Sequence, residues 1–225
     1  MKTALVIGAT GLVGRELVQQ LLQDNRFDKV VPFVRRTTGV SQAKLQEHRI
    51  NFDAMESWQH LVTGDVLFSA LGTTIRQAGS QSAQYKIDYT YQYNVAKAAA
   101  LNGVSTYVLV SSAGANADSR IFYSRMKGEL EEAVKMLSIP FIHIIQPGLL
   151  TGDRKEFRLG EKLATPLLSA ITLLPGIRKY RPIHARIVAK AMINAAFEQS
   201  QPITTHTLEG VFSLAEGSKN VSKPF

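Results

Sequence analysis

The sequence predicts an α/β fold: a doubly wound parallel sheet with helices on both faces and a small C-terminal region on the substrate side. Three observations carry this. Short apolar runs alternate with helix-length amphipathic segments almost to the end of the chain, the pattern of strand–helix–strand crossovers. The first run, residues 4–7, stops at Gly8, and glycine recurs at Gly11 and Gly14. From Leu12 the pattern turns helical, with Leu17, Val18, Leu21 and Leu22 on one face.

Taken in order, residues 29–34 read as strand two and 49–52 as strand three. Strand four spans 65–70, and an alanine-rich helical pattern fills 83–102. Strand five is 106–110, a helix covers 122–137 with Pro140 beyond its end, and strand six is 141–145. After Pro147 the rhythm loosens. Residues 160–174 and 184–199 read as amphipathic helices, 203–208 as a last strand, and the polar tail from Gly217 as disordered. A length of 225 residues suits one domain over 1–225, in which the irregular portion from about 147 does not fold alone.

Composition excludes several classes. Cysteine is absent, which removes disulfides, thiolate nucleophiles and thiolate metal ligands. No His/Asp/Glu cluster has the spacing of a metal site. No apolar run reaches spanning length, and the glycine-broken start reads as a strand rather than a signal peptide. These features lead to the expectation of a cytoplasmic protein. The 26 basic residues exceed the 18 acidic ones by 8, but they are dispersed, so no nucleic-acid or membrane partner is expected and an anionic ligand accounts for part of the excess.

The glycine turn between a strand and a helix is where a dinucleotide pyrophosphate meets main-chain amides, although the spacing here is GxxGxxG rather than GxGxxG. Gly8 permits the turn, Gly11 the approach of the phosphates, and Gly14 close packing of the helix. Strand two ends at Arg35 and Arg36, where a carboxylate would bond the ribose 2′-hydroxyl. Arginine suits a 2′-phosphate instead, so NADP is expected over NAD. Strand four runs into Ser69-Ala70-Leu71-Gly72, a small-residue end that lets a cofactor lie against Leu71 and Gly72, and Asn51, Phe52 and Asp53 end strand three, where they either flank an adenine or, for Phe52, join the core. Strand five ends near Ser112, and Tyr123 and Lys127 follow at i and i+4 of the next helix, on one face. A free phenol titrates near ~10, and a neighbouring ammonium favours its ionised form, which suits a general acid/base.

Together, GATGLVG, VRR, ALGTT, VSSAGA, YSRMKGELE and QPGLLTGDR resemble the atypical short-chain dehydrogenase/reductases, with their Rossmann-like fold, and more narrowly the Tat-interacting-protein oxidoreductases and their bacterial NAD(P)-binding relatives. The resemblance covers the chain to about His184. It implies a pyrophosphate loop of Gly8, Thr10, Gly11, Leu12, Val13 and Gly14, with Arg35 and Arg36 on the 2′-phosphate and Leu71 and Gly72 on the cofactor. It makes Tyr123 the active-site tyrosine and Lys127 its partner, which also reaches the nicotinamide ribose. It places Leu150 beside the nicotinamide and Arg158 at a further cofactor contact.

Two departures stand out: Gln146 replaces an arginine before Pro147-Gly148, and the asparagine of the usual Asn-Ser-Tyr-Lys set has only Asp88 or Asn94 as candidates. His184 reads as a helix-starting residue, Trp58 as packing, and Glu129, Glu131 and Glu132 as a solvated helix face. The expected activity is hydride transfer between NADPH and a small carbonyl or alcohol substrate, with Tyr123, Lys127 and Ser112 as the catalytic set. The alternatives are an NADPH-binding regulator with a protein partner and little turnover, and an epimerase/dehydratase. The alanine-rich helix either pairs two copies into a homodimer or packs on the sheet.

Overall fold

The computed structural model of the chain describes residues 1–152 and 181–217. Its strands are β1 (Lys2–Ile7), β2 (Phe27–Val34), β3 (His48–Arg49), β4 (Val66–Ser69), β5 (Thr106–Val110), β6 (Phe141–Gln146), β7 (Leu150–Thr151), β8 (Ile183–His184) and β9 (Ile203–Thr207). Seven of them form one parallel sheet in the order β3-β2-β1-β4-β5-β6-β9, and β7 pairs with β8. This is the doubly wound Rossmann-like arrangement, and its order reverses direction beside β1, where ligands of such sheets bind.

The apolar run of β1 explains its central place. Ala4 and Val6 enter one core and Leu5 and Ile7 the other, all fully buried, as strand alternation requires of a sheet covered on both faces. Helix α1 (Leu12–Gln23) packs on the first face through Leu17, Val18, Leu21 and Leu22. The second face is covered by α4 (Gln92–Leu101) and α5 (Phe122–Lys135).

The expected strand 49–52 shrinks to the two-residue β3. Asn51 Oδ1 accepts from the Asp53 N–H at 3.1 Å, a turn that ends the strand and sends Phe52 into the core against Trp58 and Tyr91. The expected single helix over 83–102 is broken instead. Short α2 (Ile75–Ala78) and α3 (Gln81–Tyr85) lead into a π-helical turn, Lys86–Tyr91, before α4 begins. Beyond Pro147 the expected helix within 184–199 and the expected last strand both form, and a further short helix follows them. Helix α6 (Ala185–Ala195) joins the α1 face, β9 extends the sheet beside β6, and α7 (Glu209–Glu216) packs on the same core. The expected helix over 160–174 and the tail beyond Gly217 lie outside the described residues.

Candidate functional site

A cleft of about 440 Å³ opens at the carboxyl ends of the central strands. Its phosphate end is made of backbone. Gly8 leaves β1 at φ +79°, where an L side chain is strained, and a Cβ there would come within 2.4 Å of the Ala70 backbone. A Cβ on Gly14 would sit 2.0 Å from the Gly8 carbonyl oxygen, so only glycine lets α1 approach the strand this closely. The Gly11 N–H donates to Gly8 O at 2.9 Å, and Gly11 is the N-cap of α1. No side chain caps this helix and its first turn carries no carboxylate. Its unpaired N–H groups and positive dipole end therefore face the cleft, lined here by Gly11, Leu12 and Val13. These features fit a dinucleotide pyrophosphate. Gly8, Thr10 and Gly14 shape this loop from outside the cleft lining.

The floor is the end of β4, held by a buried polar network. The Ser69 hydroxyl donates to Gln92 Oε1 at 2.6 Å, and Gln92 Nε2 donates to the Asp88 carbonyl. Asp88 Oδ1 accepts from the Thr73 N–H at 2.7 Å, and Gln84 Nε2 donates to Thr73 O. The π turn is what swings Asp88 inward, and the side chain of Gln92 takes up the carbonyl that the widened turn displaces. Leu71 and Gly72 thus hold their place in the cleft wall, with Asp88 beside them. Of the two asparagine candidates, Asp88 reaches the cleft and Asn94 does not.

The opposite wall brings together the residues picked for chemistry. Ser112 follows β5, Tyr123 and Lys127 lie on the first turns of α5, and all three line the cleft with Leu150 of β7. Tyr123 is 41% exposed, whereas Lys127 is 3% exposed, so its ammonium is held inside while the phenol stands at the mouth. Gly128 permits this depth: a Cβ there would meet the Ala117 backbone nitrogen at 2.2 Å. Ser111, which the sequence reading passed over, also lines the cleft, and among the described residues its buried hydroxyl makes no hydrogen bond.

Other candidates fall elsewhere. Arg35 and Arg36 are exposed just past β2, beside the β1 end of the cleft. Arg158 lies outside the described residues. His184 caps α6, its Nδ1 accepting from the Arg186 N–H at 3.2 Å, and Trp58 is core, donating through Nε1 to Asn51 O. One expectation is corrected: Glu131 is not part of a solvated face. It is 5% exposed and accepts from Gln146 Nε2 at 2.9 and 3.0 Å, because Lys127, Glu131 and Val134 share the inward stripe of α5. Gln146 therefore turns away from the cleft, towards a separate hollow of about 410 Å³ that it lines with Glu131. Glu129 and Glu132 do face solvent, paired with Arg125 and Lys135.

Comparison with known proteins agrees with this geometry. Residues 8–167 match the NAD(P)H-binding family. The chain belongs to that family. A relative within reach is "Protein FMP52-1, mitochondrial" of Scheffersomyces stipitis, 37% identical over 202 residues, covering 87% of this chain and 88% of the relative. Among solved structures, "MoeE5 in complex with UDP-glucose and NAD" superposes with a TM-score of 0.66 at 17% identity, covering 95% of this chain and 81% of that one. The UDP-N-acetylglucosamine 4-epimerase of Methanobrevibacter ruminantium M1 does so at 0.69 and 14%, covering 92% and 76%. These show the fold, one shared by NAD(P)-binding oxidoreductases and epimerases. The cytoplasmic expectation is overturned: the FMP52 relatives, 34 to 37% identical over most of the chain, are named mitochondrial proteins. The expectation rested on the lack of cysteine and of an apolar leader. Cysteine content limits disulfides rather than compartment, and organelle import does not require an apolar leader.

Proposed function

We propose that this member of the NAD(P)H-binding family is an NADPH-dependent oxidoreductase acting on a carbonyl or alcohol. One observation supports it above the rest: the loop after β5 and the first turns of α5 bring Ser112, Tyr123 and Lys127 to one cleft, opposite an uncapped helix N-terminus and a glycine loop from the start of the chain. The motif resemblance to the Tat-interacting-protein oxidoreductases adds to this reading.

The glycine loop and the cleft wall at Leu71, Gly72 and Leu150 would hold NADPH, which would supply a hydride for a substrate carbonyl carbon. Tyr123, at the mouth, donates its phenolic proton to the carbonyl oxygen as that carbon is reduced, and takes one back in the reverse direction. Ser112 holds the oxygen against the phenol. Lys127, buried one turn along the same helix face from Tyr123, is the partner that would orient the phenol and the cofactor ribose. Arg35 and Arg36 bind the 2′-phosphate, and Leu71, Gly72 and Leu150 pack on the cofactor.

Fluorescence titration with NADPH and NADH, followed by a screen of carbonyl substrates, tests the scheme. NADPH should bind more tightly than NADH and be oxidised by at least one carbonyl. Tight binding with no turnover on any of them would replace the catalytic reading with that of a cofactor-binding regulator.

A further inference from the structure

Away from the cleft, β6, β9 and the chain after α6 meet around two imidazoles. In the parallel register His143 pairs with Thr204 and Ile145 with His206, so His143 and His206 lie on the same sheet face. That face is the one α1 and α6 cover, since Ile145 belongs to their core. The two rings stack at 6.1 Å and 24°. Glu198, three residues past α6, brings its Oε2 to 3.5 Å from His206 Nε2. The ligand-capable atoms of His143, His206 and Glu198 all lie within 4.8 Å of one another.

The state of His143 is what calls for an occupant. The residue is fully buried, and among the described residues neither ring nitrogen has a hydrogen-bond partner. In folded proteins buried polar groups are as a rule hydrogen-bonded, and an exception calls for a cause. Burial first, and then the neighbouring His206, pushes the His143 imidazole down to about 4, with the Glu198 main chain opposing. Burial likewise lowers His206, against the Glu198 carboxylate.

We propose that His143, His206 and Glu198 bind a divalent transition-metal cation, zinc foremost, through two imidazole nitrogens and one carboxylate oxygen. Two nitrogens and one oxygen suit zinc in a tetrahedral site whose fourth position is left to water. With bonds of about 2.0–2.2 Å, ligand atoms stand roughly 3.3–3.6 Å apart, a separation the His206–Glu198 pair already shows. Glu198 sits on a turn and can close the remaining gap by a rotamer change, while His143 is fixed by the sheet. The cation enters from the Glu198 side, where that side chain is 33% exposed and His206 14%. Bound there, it clips the edge strand β9 and the turn before it to β6. None of the three residues lines the cofactor cleft.

The test uses full-length, tag-free protein dialysed against a chelator, with zinc titrated in competition with a chromophoric chelator and cobalt(II) as a spectroscopic probe. One zinc per chain should bind, raise the thermal midpoint, and be mirrored by a cobalt spectrum of four- or five-coordination. Glu198→Gln and His206→Gln should each weaken zinc by more than about 100-fold, beyond the loss seen on altering an outer-shell partner, with NADPH affinity unchanged. Both residues are partly exposed, so these variants keep the test alive should His143→Gln fail to fold. Absence of saturable binding below about 100 µM zinc would overturn the proposal. So would a single zinc retained by the Glu198→Gln, His206→Gln double variant.

Discussion

The two ends of the cleft are built from different materials. The phosphate end is main chain: the N–H groups that open α1 face the cleft, and Gly8 and Gly14 leave no room for side chains behind them. The other end is side chain: Tyr123 and Lys127 on α5 and Ser112 after β5 depend on how the crossover from β5 to β6 packs on the sheet. The first needs only a continuous stretch of fourteen residues. The second needs a helix placed at the right depth against the loop that leads into it, at Asn116 and Ala117. A backbone site therefore breaks together with the fold, whereas a side-chain site can be emptied of chemistry while the fold stands.

Substitution at the two ends should separate them. Gly14→Ala would force a Cβ against the Gly8 carbonyl oxygen and should cost about 3 kcal/mol or more of stability, with NADPH binding lost; thermal unfolding and fluorescence titration report both. Tyr123→Phe should do the opposite, lowering turnover by about 100-fold or more while the thermal midpoint and NADPH affinity hold. Activity equal to that of the parent would remove Tyr123 from the proton step.

Between these extremes lies the floor. Gln92→Leu leaves the Ser69 hydroxyl and the Asp88 carbonyl without their partner, both in buried surroundings. A loss of about 1–3 kcal/mol in denaturant unfolding is expected, with weaker cofactor binding as Thr73 loosens. A replacement of Arg36 by alanine should weaken NADPH about tenfold and leave NADH unaffected, since charge-assisted phosphate bonds are what it removes. Equal losses for both cofactors would end its assignment to the 2′-phosphate.

The smallest effect is at high pH. Burial, and then the Glu129 carboxylate of α5, raises the Tyr85 phenol to about 12. The folded chain keeps this proton where the unfolded chain, titrating near ~10, has lost it, so stability falls as pH rises from about 10 through 12. Tyr85→Phe should flatten that part of the alkaline unfolding curve. An unchanged slope would mean that Tyr85 titrates as it does in the unfolded chain.

Much of this was written in local sequence. Period-two and helical patterns located β5 and α5, because each segment's apolar residues answer to a single packing surface. The glycine loop could be read for the same reason: its requirements are backbone ones, met within one turn. The π turn at Lys86–Tyr91 could not be foreseen, since neither proline nor glycine interrupts residues 83–102. Only the tie from Gln92 to Ser69, 23 residues back, shows why the helix widens there. Glu131 looked solvated because a carboxylate usually is, until Gln146 arrives from the next strand to satisfy it.

From its residues alone the chain dictates a parallel sheet, a dinucleotide loop and the helix that carries Tyr123 and Lys127, since each of these is a contest settled among near neighbours. The depth of Lys127, the network beneath Thr73 and the meeting of His143, His206 and Glu198 were decided only in three dimensions. Burial and contact across separate segments depend on strand order and register, which no local pattern records.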